Sequence, residues 1–207
     1  MSTQKLYDQW SATYDNVVNP TRDLEKTACE TVLGSLRFAR VLELGGGTGK
    51  STSWLAERAD QVLSVDFSPE MQAVAREKVR ADNVEFRIAD VREPWSFGEF
   101  VPDLITCSLI LEHVEDLSFV FRQANATLAD SGRFYICELH PFKQYEGSKA
   151  RFETDEGLQV TDCFRHHVTD YTNAALANGF LIERIDEWFD NDDRTRTPRL
   201  MSFVFNL

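Results

Sequence analysis

With 207 residues and 43% hydrophobic content, the chain is long enough for one domain, residues 1–207, with a substantial core. Twenty-two Lys and Arg against 34 Asp and Glu leave a net charge of -12; such a surface repels polyanions, so nucleic acid is not an expected partner. No apolar run approaches the ~20 residues needed to span a bilayer, the polar opening MSTQKLYDQW is no secretion signal, and four cysteines without a C-x-x-C pair or a zinc-like spacing to histidine point to a reduced, cytoplasmic setting.

Residues 2–20 carry Tyr7, Trp10 and Tyr14, whose spacings of three and four place them along one helix face. Thr21-Arg22-Asp23-Leu24-Glu25 follows Pro20 and opens a second helix that runs to about Ser35, with Thr21 as its N-cap. Arg22 is the exception in that first turn, where the helix dipole disfavours a cation.

The stretch Arg40–Asp66 organises the rest. Val41-Leu42-Glu43-Leu44 reads as a short buried strand, Gly45-Gly46-Gly47-Thr48-Gly49 as a turn, Lys50 to Ala56 as the start of a helix, and Val62-Leu63-Ser64-Val65 as a second strand closed by Asp66. Glycines let the backbone turn sharply and approach a ligand closely, a helix start offers free N–H groups, and an acid ending the second strand can accept from a ribose diol. Three ligands compete for such a bend. A P-loop would need its first glycine at position 44, which is Leu44, and a dinucleotide fingerprint would need its third at position 50, which is Lys50. The pattern that fits is G-x-G-x-G over Gly45, Gly47 and Gly49, with Glu43 just before it.

Ser68-Pro69-Glu70 then signals a helix start, with Ser68 as cap, and Met71, Val74, Ala75 and Val79 recur at helical spacing up to about Arg80. Val84 to Ile88 alternates like a third strand and leads into Ala89-Asp90-Val91. Pro102 to Ser108 reads as strand four, with Leu109 to Val114 after it, Phe119 to Leu128 as a helix, and Arg133 to Leu139 as strand five. His140 stands at the carboxyl end of that strand, where ligands of open α/β sheets bind. Arg151–Thr154 and Leu158–Phe164 flank Asp155-Glu156-Gly157 in the pattern of a hairpin. Arg165-His166-His167-Val168 leads out of it, Thr169 caps a helix over Asp170–Asn178, and Gly179 stops it. Phe180–Phe189 and Leu200–Phe205 are the last two strands.

VLELGGGTGKST resembles the first motif of the class I S-adenosylmethionine-dependent methyltransferases, VLSVDFSPEM resembles their second, and the region from strand four through strand five continues the likeness. The resemblance implies a Rossmann-like fold: a seven-stranded, mostly parallel sheet of order 3-2-1-4-5-7-6, last strand antiparallel, with helices on both faces. It implies S-adenosyl-L-methionine as cofactor, with Gly45, Gly47 and Gly49 near the methionine and ribose, Asp66 on the ribose hydroxyls, Phe67 and Met71 near adenine, Asp90 beside Val91 accepting from the adenine amino group, and Ser108 behind the methionine portion. Residues 1–35 become a cap or a lid over the site, in which Tyr14 touches the methionine end or the substrate chamber. Arg22 either pairs with the cofactor carboxylate or makes a surface salt bridge. The region lacks the Asn/Asp-Pro-Pro-Tyr form of many amide and nucleobase methylating enzymes, which argues against those substrates.

Methyl transfer from a sulfonium is an in-line displacement in which alignment alone can contribute on the order of 7–11 kcal/mol. A base adds about 10²–10⁴-fold where the nucleophile holds its proton tightly. His140, His166 and His167 are the candidates; strand alternation lets only one of the last two face the chamber. His113 is read as packed and hydrogen-bonded or as chemical. The inserted segment 141–168, placed over the active site, offers aromatics (Phe142, Tyr145, Phe152, Phe164) and acids (Glu146, Glu153, Asp162) that suit a cationic amine or a flat hydroxylated molecule. The expected reaction is therefore methylation of oxygen or nitrogen on a small metabolite, by a monomer or homodimer without membrane or metal. An NAD-dependent oxidoreductase and a non-catalytic partner subunit are the alternatives.

Overall fold

Residues 41–44 are apolar or acidic on consecutive positions and buried on both faces, which only the middle of a covered parallel sheet accommodates. The computed structural model, which describes residues 3–148, 151–154, 157–160 and 163–207, builds that sheet from β1 (Phe38–Leu44), β2 (Ala59–Asp66), β3 (Val84–Ile88), β4 (Leu104–Ser108), β5 (Arg133–Leu139), β8 (Leu181–Trp188) and β9 (Leu200–Asn206). Their order is β3-β2-β1-β4-β5-β9-β8; the first five are mutually parallel, and β9 runs antiparallel between β5 and β8. This is the expected topology, the sixth and seventh strands of the sheet being β8 and β9. Between β5 and β8 in sequence, β6 (Arg151–Thr154) and β7 (Gly157–Val160) pair as the expected hairpin. The side chains of Phe152 and Glu153, and Asp162 altogether, lie outside the described residues.

Strand alternation divides the core. On one face Leu42, Leu44, Ile105, Cys107, Phe134 and Ile136 pack under α5 (Leu117–Thr127) and α7 (Val168–Ala177). On the other, Val41, Leu104, Tyr135 and Cys137 pack under α2 (Pro20–Leu33) and α3 (Lys50–Ala56). The N-terminal α1 (Thr3–Tyr14) rests on α4 (Pro69–Lys78) through Leu6, Trp10 and Met71. A short α6 (Pro141–Tyr145) follows β5. Among the described residues no helix is long and apolar enough to cross a membrane.

Several element ends differ from the sequence expectation, each for a local reason. Asn19, not Thr21, caps α2: its side-chain oxygen accepts from the N–H groups of Thr21 (3.0 Å) and Arg22 (3.2 Å), and Pro20 becomes the first helical residue, where its missing N–H costs nothing. Asp116 caps α5 two residues earlier than expected by accepting from the Phe119 N–H. Helix α7 begins at Val168, because the Asp170 carboxylate accepts from the His167 N–H and closes the turn there, before Thr169. Ser68 does cap α4, its Oγ accepting from the Met71 N–H.

Register sets the site. Leu44 lies beside Val65 and Cys107, and Asp66 beside Ile88, so the carboxyl ends of β1, β2, β3 and β4 come level. Behind them, Phe121, Phe134, Phe180 and Phe205 meet edge-on or tilted at ring separations of 5.2–6.5 Å. Phe121 is fully buried at the centre of this cluster. Phe121→Ala is expected to lower stability by about 3–5 kcal/mol, measured by urea unfolding, with the site geometry kept.

Candidate functional site

Above the level strand ends lies a cavity of about 1170 Å³, counted out to its open mouth. The glycine bend forms its floor. Gly45 and Gly46 donate to the Val65 carbonyl (2.8 and 3.1 Å), which locks the bend against β2. Gly45 has φ +74°, and a Cβ there would sit 2.4 Å from Ile110 Cγ2. Gly47, at φ +53°, has open space where its side chain would be, so a ligand can come down onto backbone.

Asp66 accepts from the Gly47 N–H at 2.9 Å and from the Ser68 N–H at 2.8 Å, fastening the bend to the end of β2. Burial pushes its carboxyl up to about 6 against these two bonds. Glu43 lies below: its Oε2 accepts from Thr52 Oγ1 (2.5 Å) and Ser64 Oγ (2.7 Å), and burial raises it too. Its known partners are thus internal, tying β1, β2 and α3 together under the floor. Asp90 and Val91 line the cavity beyond β3. Burial raises Asp90, but the Arg92 side chain, bonded to both carboxylate oxygens at 2.6–3.2 Å, outweighs it and holds the acid low.

The wall opposite the sheet comes from the N-terminal segment. Tyr7 and Tyr14 face the cavity, as do Phe67 and Met71. Gln4 bonds the Phe67 carbonyl (2.7 Å), Ser68 bonds Asp8 (2.5 Å), and Asp15 takes both Thr48 Oγ1 and Lys78 Nζ at 2.8 Å. Arg22 donates to the carbonyls of Tyr14 (2.6 Å) and Val17 (2.9 Å), and its guanidinium lies 4.0 Å over the Tyr14 ring. It therefore has no surface salt bridge among the described residues, and it lines the cavity. From strand four, Ser108 and Leu109 complete the enclosure. Leu109 holds φ +57°, a strain of about 1–3 kcal/mol for such a residue. Glu138 stabilises this loop: its Oε1 accepts from Ile110 N (3.0 Å) and Leu111 N (2.9 Å).

The histidines fall differently from the sequence expectation. His140 is buried outside the cavity; Nδ1 accepts from the Phe142 N–H (3.2 Å), and Nε2 sits 3.2 Å from Glu187 Oε1. Burial lowers it against the pull of Glu187. Residues 163–167 are not a strand, so alternation does not apply to them. His166 Nε2 is 2.7 Å from the Val114 carbonyl and His167 Nε2 is 3.2 Å from Tyr145 Oη, both away from the cavity. The histidine that lines the cavity is His113, in a 3-10 turn at 111–113, with Nε2 3.0 Å from Tyr7 Oη. Tyr7, from the aromatic face expected of the N-terminal helix, and Ile110, from the segment after strand four, also line it, as do Glu25, Arg92 and Thr106, which were not singled out from sequence. Only Glu25 left a legible signal, being an acid in the otherwise apolar stripe of Ala28, Cys29 and Val32.

Residues 42–136, from β1 through β5, match a family model described as a methyltransferase domain. The chain carries a methyltransferase domain over that span, in the fold of the class I S-adenosylmethionine-dependent methyltransferases. Demethylmenaquinone methyltransferase of Tropheryma whipplei is 24% identical over 196 residues, covering 92% of this chain and 78% of that protein. Ubiquinone biosynthesis O-methyltransferase of Xanthomonas euvesicatoria pv. vesicatoria is 30% identical over 140 residues, 63% of this chain and 56% of the relative. Among solved structures, the DhpI–SAH complex superposes with a TM-score of 0.76 at 24% identity, covering 98% of this chain and 93% of that one.

The methyltransferase keeps several acids buried at its strand ends, and this gives its stability a defined pH dependence. Glu138 is pushed up to about 8, by burial first and then by Glu112, with its backbone bonds opposing. Between the ordinary glutamate range near 4.5 and about 8, the folded state therefore binds the proton that the unfolded state has lost, and stability falls as pH rises. Glu138→Gln, which keeps a carbonyl for the Ile110 and Leu111 N–H groups, is expected to flatten that fall and to be the more stable protein at pH 9, read by denaturant unfolding at pH 5 and 9.

Proposed function

We propose that this methyltransferase binds S-adenosyl-L-methionine in the cavity and transfers its methyl group to oxygen or nitrogen of a small metabolite. The observation that carries the reading is the convergence of Gly47, Asp66, Asp90 and Ser108, from four adjacent strand ends, on one cavity. The residues present fit the cofactor on two counts. Gly47 offers bare backbone where a Cβ would meet nothing, and the buried Arg22 Nε, Glu25 Oε1 and Thr106 Oγ1 around the same cavity have no hydrogen-bond partner.

In this reading Asp66 holds the ribose hydroxyls through the lone pairs that Gly47 and Ser68 leave open, and Gly45, Gly47 and Gly49 carry the bend that lets the nucleoside down. Asp90, Val91, Phe67 and Met71 enclose the adenine, Ser108 backs the methionyl portion, and Arg22 faces its carboxylate beside Tyr14. Glu43 acts through Thr52 and Ser64, fixing the floor on which these contacts depend. When bound, the cofactor supplies an electrophilic methyl on a sulfonium. The chain's own contribution is then alignment and the exclusion of water, with α1 and the 109–113 loop as walls. Tyr7 and His113, paired at 3.0 Å on the cavity wall, take the proton of a hydroxyl or ammonium acceptor. His140, His166 and His167 keep structural partners instead.

A small, flat or cationic acceptor suits walls built of Tyr7, Tyr14, Phe67 and Ile110. The quinone-pathway names of two relatives agree with a ring acceptor, and the charge of -12 disfavours a polyanionic one.

Asp66→Ala is expected to weaken S-adenosylhomocysteine binding by roughly 10–100-fold, since charge-assisted hydrogen bonds are worth about 1.5–3 kcal/mol; isothermal calorimetry reads it, and unchanged affinity would sink the assignment. With an acceptor panel monitored by S-adenosylhomocysteine release, His113→Ala should lower turnover by about 10²-fold or more on acceptors with a tightly held proton. His140→Ala should cost less than about tenfold, because alignment rather than that histidine supplies the acceleration.

A further inference from the structure

Helix α2 directs two opposite charges at the cavity, one turn apart: Arg22 and Glu25. Glu25 is only 5% exposed, and burial pushes its carboxyl up to about 7. Ser108 donates a hydrogen bond to this carboxyl, yet Oε1 has no partner. Thr106 Oγ1, 5% exposed on the neighbouring position of the same sheet face, has none either. Arg22 is held by two backbone carbonyls through Nη1 and Nη2, while its buried Nε is unpartnered. No salt bridge joins Arg22 to Glu25. Buried polar groups left unmet cost stability, so a donor and two acceptors unmet in one cavity mark a place where a ligand completes the bonding.

We infer that Glu25 and Arg22 form a receptor for the amino-acid end of the cofactor, Glu25 taking its ammonium beside the hydroxyls of Ser108 and Thr106, and Arg22 facing its carboxylate. The inference rests on the proposed donor site, and strand order gives the direction. Asp90 and Asp66 stand at the ends of β3 and β2, the glycine bend at β1, and Ser108 at β4, so a ligand with its adenosine at the first pair extends its tail toward Ser108 and α2. Charge decides between an ammonium and a neutral donor. The groups facing Glu25 are Glu30 and Cys29 on α2, Glu43 on β1, Lys50 on α3, Ser108 on β4, and Tyr135 and Cys137 on β5. Lys50 is bonded to Asp23 at 2.9 Å, Glu30 is bonded to Lys26 at 2.6 Å, and Arg22 donates to the Tyr14 and Val17 carbonyls, so none of these cations is bonded to Glu25. A further positive charge is the missing partner.

Two consequences are measurable. An arriving ammonium draws Glu25 below its empty-state value, so binding near neutral pH should release a fraction of a proton. It should also separate ligands with and without the tail. In calorimetry at pH 7 in phosphate and in Tris, the wild type is expected to show a buffer-dependent heat with S-adenosylhomocysteine and none with 5′-methylthioadenosine, which lacks the amino-acid group. Glu25→Gln should abolish the proton release and weaken S-adenosylhomocysteine by roughly tenfold or more, while leaving 5′-methylthioadenosine within about twofold. The same variant should melt no lower than the wild type above pH 7, where the empty site carries an unpaired carboxylate. Equal weakening of both nucleosides, unchanged binding of S-adenosylhomocysteine, or an effect confined to the KM of an amine acceptor would each overturn the inference and leave the donor site standing. Failure of the wild type to bind either nucleoside would overturn the donor site itself.

Discussion

A carboxylate at the end of β2 determines whether the glycine bend has a shape at all. Asp66 receives the Gly47 N–H on one oxygen and the Ser68 N–H on the other, so one side chain fixes both the turn after β1 and the turn into α4. A five-residue loop with three positive-φ glycines loses much entropy on ordering. Two charge-assisted bonds from a buried acid, with the Val65 carbonyl gripping Gly45 and Gly46, offset that cost. The level ends of four parallel strands then make the bend part of a larger rim.

Around this rim the chain accepts conditions that a purely structural domain avoids. Glu25, Asp66 and Glu138 are buried acids whose carboxyls sit well above their ordinary range, each first of all because burial removes water from the charged form. Leu109 is held in a left-handed conformation by the Glu138 grip on the two residues after it. Such strain and unmet polarity gather where a ligand is to be received, and they lower the stability of the empty protein. The aromatic core beneath, centred on Phe121, supplies the margin.

The N-terminal segment belongs to the site as much as the sheet does. Its contacts to the sheet side are polar and specific, through Gln4, Asp8, Asp15 and the Tyr7–His113 pair, and they recur along its length. Its apolar contact is a cluster of Leu6, Trp10 and Met71 with Tyr7 and Tyr14 packed against it.

The sequence by itself determined where the strands of the sheet and the glycine bend fall, because these rest on short-range signals, whereas the strand order was implied by the family resemblance. Apolar runs buried on both faces, glycines at fixed spacing, and acids closing strands two and three are all written within a few residues of one another. Helix caps were read less well: Asn19 and Asp116 outcompeted the expected starts because an Asx side chain two or three residues upstream reaches the same free N–H groups. Tertiary structure alone decided which histidine lines the cavity. His140 stands at a strand end, as position in the chain suggests, but Glu187 on β8 and the Phe142 N–H draw its ring into the protein. His113 instead meets Tyr7, a residue 106 positions away. Which way a side chain turns at a strand end depends on partners brought by distant elements, and no local pattern carries that information.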